Sequence, residues 1–148
     1  MSSTLSAIYV HVVFATEGRQ PYLRPEILEE VHRYLGGSIK ALGAKPLIVG
    51  GVEDHVHMLL RLHPSTALSN VVRDLKKGST HWLRRFPGLS AFAWQNGYAA
   101  FSVSQEAVSS VTRYIARQEE HHAAVDSETE LAALLEAHGL EPYSPPSA

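Results

Sequence analysis

Lys45-Pro-Leu-Ile-Val-Gly-Gly-Val-Glu-Asp-His-Val-His-Met-Leu-Leu-Arg-Leu62 holds two apolar runs separated by an acidic pair. Lys45 to Val52 and His55 to Leu62 read as strands, and Glu53-Asp54 as the turn that joins them. Side chains alternate along a strand, so Val56, Met58 and Leu60 fall on a core face while His55 and His57 share the other. The two imidazoles are expected to be exposed there, at a spacing that lets them share a metal ion.

The flanking sequence builds a fold around this hairpin. Ser3 to Thr16 reads as a strand: Ile8, Val10, Val12 and Phe14 alternate with Tyr9, His11 and Val13, so His11 also points away from the core. Arg24-Pro25 opens a helix in which Ile27, Leu28, Val31, Tyr34, Leu35, Ile39 and Leu42 recur at helical spacing. Gly36-Gly37 interrupts that pattern and Gly43 is a suitable stop. Thr66 to Phe86 is a second amphipathic helix. Phe92 to Val103 carries Asn96-Gly97, a tight-turn signal between apolar runs, and Gln105 to His122 reads as one helix. Ser127-x-x-Glu130 is a capping-box pattern ahead of a last, acidic helix at about 126–139, which Gly139 ends. Residues 142–148 read as a loose tail. The order strand–helix–strand–strand–helix–strand–helix, with one further helix, predicts an α+β, ferredoxin-like (RRM-like) sandwich with helices mainly on one face of an antiparallel sheet. We expect residues 1–148 to form a single domain of this kind.

Composition narrows the chemistry. The chain has no cysteine, which excludes disulfides, zinc thiolates and thiol nucleophiles. It has no basic leader and no apolar run of spanning length, so a cytoplasmic protein without a membrane is expected. The net charge of −2 conceals a gradient. Seven acidic residues and no Lys or Arg lie between Glu119 and Glu141, which leaves residues 1–118 with 13 basic and 8 acidic side chains, a balance of +5. A basic body of this kind attracts phosphates. Its densest segment is Ser65–Phe86, where Arg73, Lys76, Lys77, Arg84 and Arg85 oppose one acid, Asp74, and stand as candidate DNA contacts. Trp82 falls on the apolar stripe of that helix and is expected in the core rather than stacked on a base.

Tyr114-Ile115-Ala116-Arg117-Gln118 is the second chemistry-bearing stretch. Tyr114 and Gln118 stand one helical turn apart, flanking the apolar stripe that contains Ile115. A glutamine oxygen can complete a metal site, and a tyrosine can attack phosphorus to form a covalent intermediate. Tyr98 is the rival nucleophile, although its place after a tight turn favours packing with Phe92, Trp94 and Phe101.

Taken together, Asp54-His-Val-His-Met-Leu-Leu60, Trp94-Gln-Asn-Gly-Tyr98, Phe101-Ser-Val-Ser104 and Tyr114-Ile-x-x-Gln118-Glu-Glu-His-His122 resemble the single-tyrosine HUH transposases. That family comprises the IS200-like insertion-sequence transposases and the related REP-associated tyrosine transposases. The resemblance runs from about Ile8 to His122 and keeps the order and separation of the His pair and the tyrosine helix. It implies His55, His57 and Gln118 as ligands of one divalent ion, Mg²⁺ or Mn²⁺, and Tyr114 as the nucleophile. Two imidazoles suit Mn²⁺ better than Mg²⁺, which prefers an all-oxygen shell. The resemblance further implies a metal-dependent enzyme that cuts and rejoins single-stranded DNA, at hairpin ends, through a 5′-phosphotyrosine. It implies a homodimer, often with the tyrosine helix contributed to the partner's site, and a nucleoid-associated location when bound to DNA. Two alternatives from other classes are a non-catalytic single-stranded nucleic-acid-binding module and a phosphoesterase using metal-activated water.

Overall fold

The hairpin around Glu53-Asp54 forms as its sequence predicts, with strands β2 (Lys45–Val52) and β3 (His55–Leu62) paired antiparallel. The computed structural model describes residues 3–141, and the tail expected at 142–148 lies outside them. The chain divides into two compact units, Met1–Gln118 and Glu119–Ala148. In the first unit, β1 (Ile8–Ala15) inserts between β3 and β4 (Ala99–Val103), giving an antiparallel sheet of order β2-β3-β1-β4. Helix α1 (Pro25–Ala41) joins β1 to β2, and α2 (Leu68–Leu83) joins β3 to β4. This is the ferredoxin-like α+β arrangement.

Alternation sorts the two faces. Val10, Val12 and Phe14 of β1 and Val56, Met58 and Leu60 of β3 bury against Ile27, Leu28, Val31, Leu35 and Ile39 of α1 and Val71, Val72, Leu75 and Leu83 of α2. Proline at the first position of α1 has no N–H to waste, and the helix runs unbroken through Gly36-Gly37. Trp82 is half-buried: it stacks on Tyr34 at 4.3 Å between ring centroids and packs against the core. The opposite face of the sheet is covered by α3 (Val108–Ala116), which lies on β2 and β3.

Four expectations need correction. Residues 92–98 do not extend β4 into a hairpin; a single bridge, Thr16 to Trp94, links this stretch to β1. Its polar groups go elsewhere: the Trp94 indole donates to Ser79 Oγ at 2.9 Å, and Lys76 Nζ donates to the Gln95 and Gly97 carbonyls. Tyr98 therefore does not pack beside Phe92 and Trp94 but is 41% exposed. The helix expected over Gln105–His122 breaks at Arg117 (φ −106, ψ 24), separating α3 from α4 (Gln118–His122). In the second unit, α5 (Ser127–Ala137) is capped by Asp126 rather than Ser127: its side chain accepts from the Thr129 N–H at 2.7 Å. That bond holds the Asp126 carboxyl below the usual carboxylate range. The Glu130 oxygens lie 3.1 Å from His122 Nε2 and 3.4 Å from His121 Nε2.

Candidate active site

Residues on the second face of the sheet follow from register. His11 pairs with Leu59 on one side and Phe101 on the other, and His57 pairs with Val13 and Gly50. His11, His55 and His57 therefore share a face, with His11 and His57 as diagonal neighbours across the β1–β3 ladder. Contrary to expectation this face is not open. His11 and His55 are 3% exposed and His57 is fully buried, with α3 packed on β2 and β3.

Gly50 makes that cover possible. A Cβ at Gly50 would stand 2.5 Å from the Ile115 carbonyl oxygen and 2.9 Å from its Cγ2, so no other residue admits α3 at this depth. With Ile115 seated on the strand, the Tyr114 ring meets His57 edge-on at 5.7 Å and His11 at 6.1 Å. The break at Arg117 removes Gln118 from regular helical spacing, yet Gln118 is buried and its Oε1 lies 3.3 Å from His55 Nε2. One chain thus brings Tyr114 and Gln118 onto its own histidine pair.

Asp54 sets the state of the first imidazole. Its Oδ1 is 2.7 Å from His55 Nδ1, which must carry the proton to make that bond. His55 Nε2 then presents a lone pair to the Gln118 oxygen. Two acceptors facing each other require a proton or a cation between them, and the ligands of a divalent ion are arranged in this way. Ligand nitrogens of His55 and His57 lie within 4.8 Å of one another. The donor set, two imidazoles and an amide oxygen, fits a divalent transition ion or Mn²⁺.

The cations of α2 divide by what holds them. Lys76 is half-buried over the Phe14 ring and bonds the carbonyls of residues 95 and 97; burial lowers its pKa from the ordinary lysine value. Arg84 Nε donates to the Phe92 carbonyl at 2.8 Å, and Arg73 Nε to Asp74 Oδ1 at 3.1 Å. Lys77 and Arg85 are exposed. Lys76, Lys77, Thr80, His81 and Arg84 line one wall of a groove of about 460 Å³ whose other wall is residues 93–97.

Three contributors went unassigned from sequence: His11, Asp54 and Gly50. Strand alternation already put His11 on the face of the His pair, and Asp54 directly precedes it. A glycine pair inside a β-branched strand is the usual mark of another backbone's close approach.

A buried His pair thus lies on the second face of a ferredoxin-like sheet, with Tyr114 of α3 and Gln118 of α4 brought onto it. The profile of the family described as Transposase IS200 like matches residues 4–118, ending where the first compact unit ends. The chain belongs to the IS200-like transposase family. Among solved structures, one described as a candidate transposase from Deinococcus radiodurans R1 aligns with a TM-score of 0.63 at 21% identity, covering 80% of this chain and 95% of that one. A REP-associated tyrosine transposase bound to a REP hairpin aligns with a TM-score of 0.63 at 16% identity, covering 96% of this chain and 89% of that one. No curated protein matches. No helix among the described residues is long and apolar enough to cross a membrane.

Proposed function

We propose that this transposase cuts and rejoins single-stranded DNA by attack of Tyr114 on phosphorus, at a divalent-metal site made by His55, His57 and Gln118. The observation that carries the reading is the convergence of Tyr114 and Gln118 on the His pair within one chain. When bound, the cation neutralises charge on the scissile phosphate and lowers the cost of bringing an anionic nucleophile to it. The phenol, with an ordinary pKa of about 10, loses its proton as its oxygen bonds to phosphorus. The bond to the 3′ oxygen breaks, leaving a 5′-phosphotyrosine and a free 3′-OH, and attack by another 3′-OH reverses the step. His57 and His11 bear on the tyrosine ring and hold it over the pair. Exposed Lys77 and Arg85 bind the strand's phosphates, with Arg73, Lys76 and Arg84 as further contacts. Hairpin ends are the proposed substrate, by likeness to the hairpin-bound REP-associated enzyme. We further propose a homodimer acting in the cytoplasm on nucleoid DNA, with each site complete in its own chain.

Tyr114→Phe tests the reading, because it removes the hydroxyl and keeps the ring. Cleavage of a hairpin oligonucleotide and the covalent protein–DNA adduct should vanish together, with the melting temperature little changed. A water-using phosphoesterase would keep much of its cleavage in this variant. Retained activity in Tyr114→Phe with loss in Tyr98→Phe would transfer the role to the exposed Tyr98.

A further inference from the structure

His11 is a buried imidazole between apolar partners, Leu59 and Phe101, on a strand whose other side builds the core. A leucine or phenylalanine there would bury as much apolar surface without the cost of desolvating a polar ring. The imidazole adds a polar contact: His11 Nε2 lies 2.8 Å from His57 Nδ1, with the two rings 28° from parallel. A bond between two neutral imidazoles needs one nitrogen to donate and the other to accept. If His57 offers Nε2 as a ligand, its proton sits on Nδ1, so His57 donates and His11 Nε2 accepts.

We propose that His11 is the positioning residue of the site, fixing the rotamer and the Nδ1–H form of His57 so that Nε2 faces the metal. It does for His57 what Asp54 does for His55. Each ring of the pair is gripped at Nδ1 by a different neighbour, one on the preceding turn and one on the adjacent strand. A carboxylate at position 11 would add a second negative charge under α3, whereas a neutral imidazole accepts the bond without one. His11 also supports the nucleophile helix, since the Tyr114 ring meets its edge at 74°. The assignment rests on the reading of His57 as a metal ligand; the hydrogen bond to His57 does not.

The test compares the full chain with His11→Phe, which keeps a ring but accepts nothing, and His11→Gln, whose amide oxygen reaches the position of Nε2. Side-chain ¹H–¹⁵N correlation spectra of the metal-free chain should show His57 protonated at Nδ1. That form should be lost in His11→Phe and regained in His11→Gln. Titration with Mn²⁺ alone should show binding weakened about 10- to 100-fold in His11→Phe and largely restored in His11→Gln. Melting temperatures confirm that both variants are folded; if His11→Phe is not, the His57 proton position in the parent chain and Mn²⁺ binding by His11→Gln decide. A parent His57 protonated at Nε2, or His11→Phe binding Mn²⁺ as tightly as the parent, overturns the proposal. A parent chain that keeps the Nδ1–H form yet binds no Mn²⁺ upholds the positioning bond and overturns the ligand reading, so the two failures differ in outcome.

Discussion

Asp54 shows how much of this site is set by single atoms. Its carboxylate fixes the proton on His55 Nδ1, and the freed Nε2 is what faces Gln118. Asp54→Ala should therefore cost about 10- to 100-fold in single-turnover cleavage at limiting Mn²⁺, while Asp54→Asn, whose amide oxygen still accepts, recovers most of it. Equal activity in Asp54→Ala and the parent would show that the ring holds its orientation unaided. A second histidine, away from the site, predicts the acid response of the fold. His32 is half-buried on α1, its Nε2 has no hydrogen-bond partner among the described residues, and burial lowers its pKa to about 4 against a weaker opposing pull from Glu29. The unfolded chain takes up this proton near pH 6.5, whereas the folded chain resists it to about pH 4. Stability is thus undiminished above pH 6.5 and falls as pH drops toward 4, by at most about 3 kcal/mol before solvent screening. His32→Leu should flatten this component: its melting temperature should lose less between pH 7 and pH 5 than the parent's, and parallel losses would refute the assignment.

Among the elements, α3 on β2 is the decisive contact. The Gly50 strand and the Ile115 backbone touch, so Gly50→Ala must lift α3, and with it Tyr114, from the histidines. We expect a loss of about 1–3 kcal/mol in stability, as for other overpacked contacts, and more than tenfold in cleavage. An unchanged adduct yield would mean that α3 need not rest where it does. The same contact explains what could and could not be read from the chain. Both strands of the hairpin, and the core face of Val56, Met58 and Leu60, followed from alternation because period-two patterning is local. The sharing of one face by His11, His55 and His57 followed for the same reason. Burial of that face did not, because it depends on a helix more than fifty residues away docking on a glycine. Local signals also failed where side chains competed for backbone groups. Asn96-Gly97 looked like a hairpin turn, but Lys76 and Ser79 of α2 hold that stretch in a loop. Arg117 gives no sequence sign of the break that separates Tyr114 from Gln118, since no glycine or proline marks it.

At the scale of the whole molecule, charge is unevenly divided along the chain. The 118 residues that hold the candidate site carry +5, and the remainder carries seven acids without a basic residue. If a strand binds at α2 as proposed, the net charge near zero understates the attraction it would meet there, within a Debye length of about 10 Å at ordinary salt. Not every α2 cation is available for it. Lys76 and Arg84 direct donors to the loop carbonyls of residues 92–97, and Arg73 to Asp74, whereas the side chains of Lys77 and Arg85 make no hydrogen bond or ion pair among the described residues. Structural and phosphate-binding roles should accordingly separate. Lys77→Ala and Arg85→Ala should each weaken binding of single-stranded DNA and reduce the slope of log K against log salt by about 0.7, with little change in melting temperature. Lys76→Ala should instead lower the melting temperature, because it releases two carbonyls and the contact over Phe14. Fluorescence anisotropy across a salt series, with thermal melts of the same proteins, measures both effects. If Lys77→Ala and Arg85→Ala leave the slope unchanged, the strand crosses another face, and the basic helix is only a solvated surface above the core.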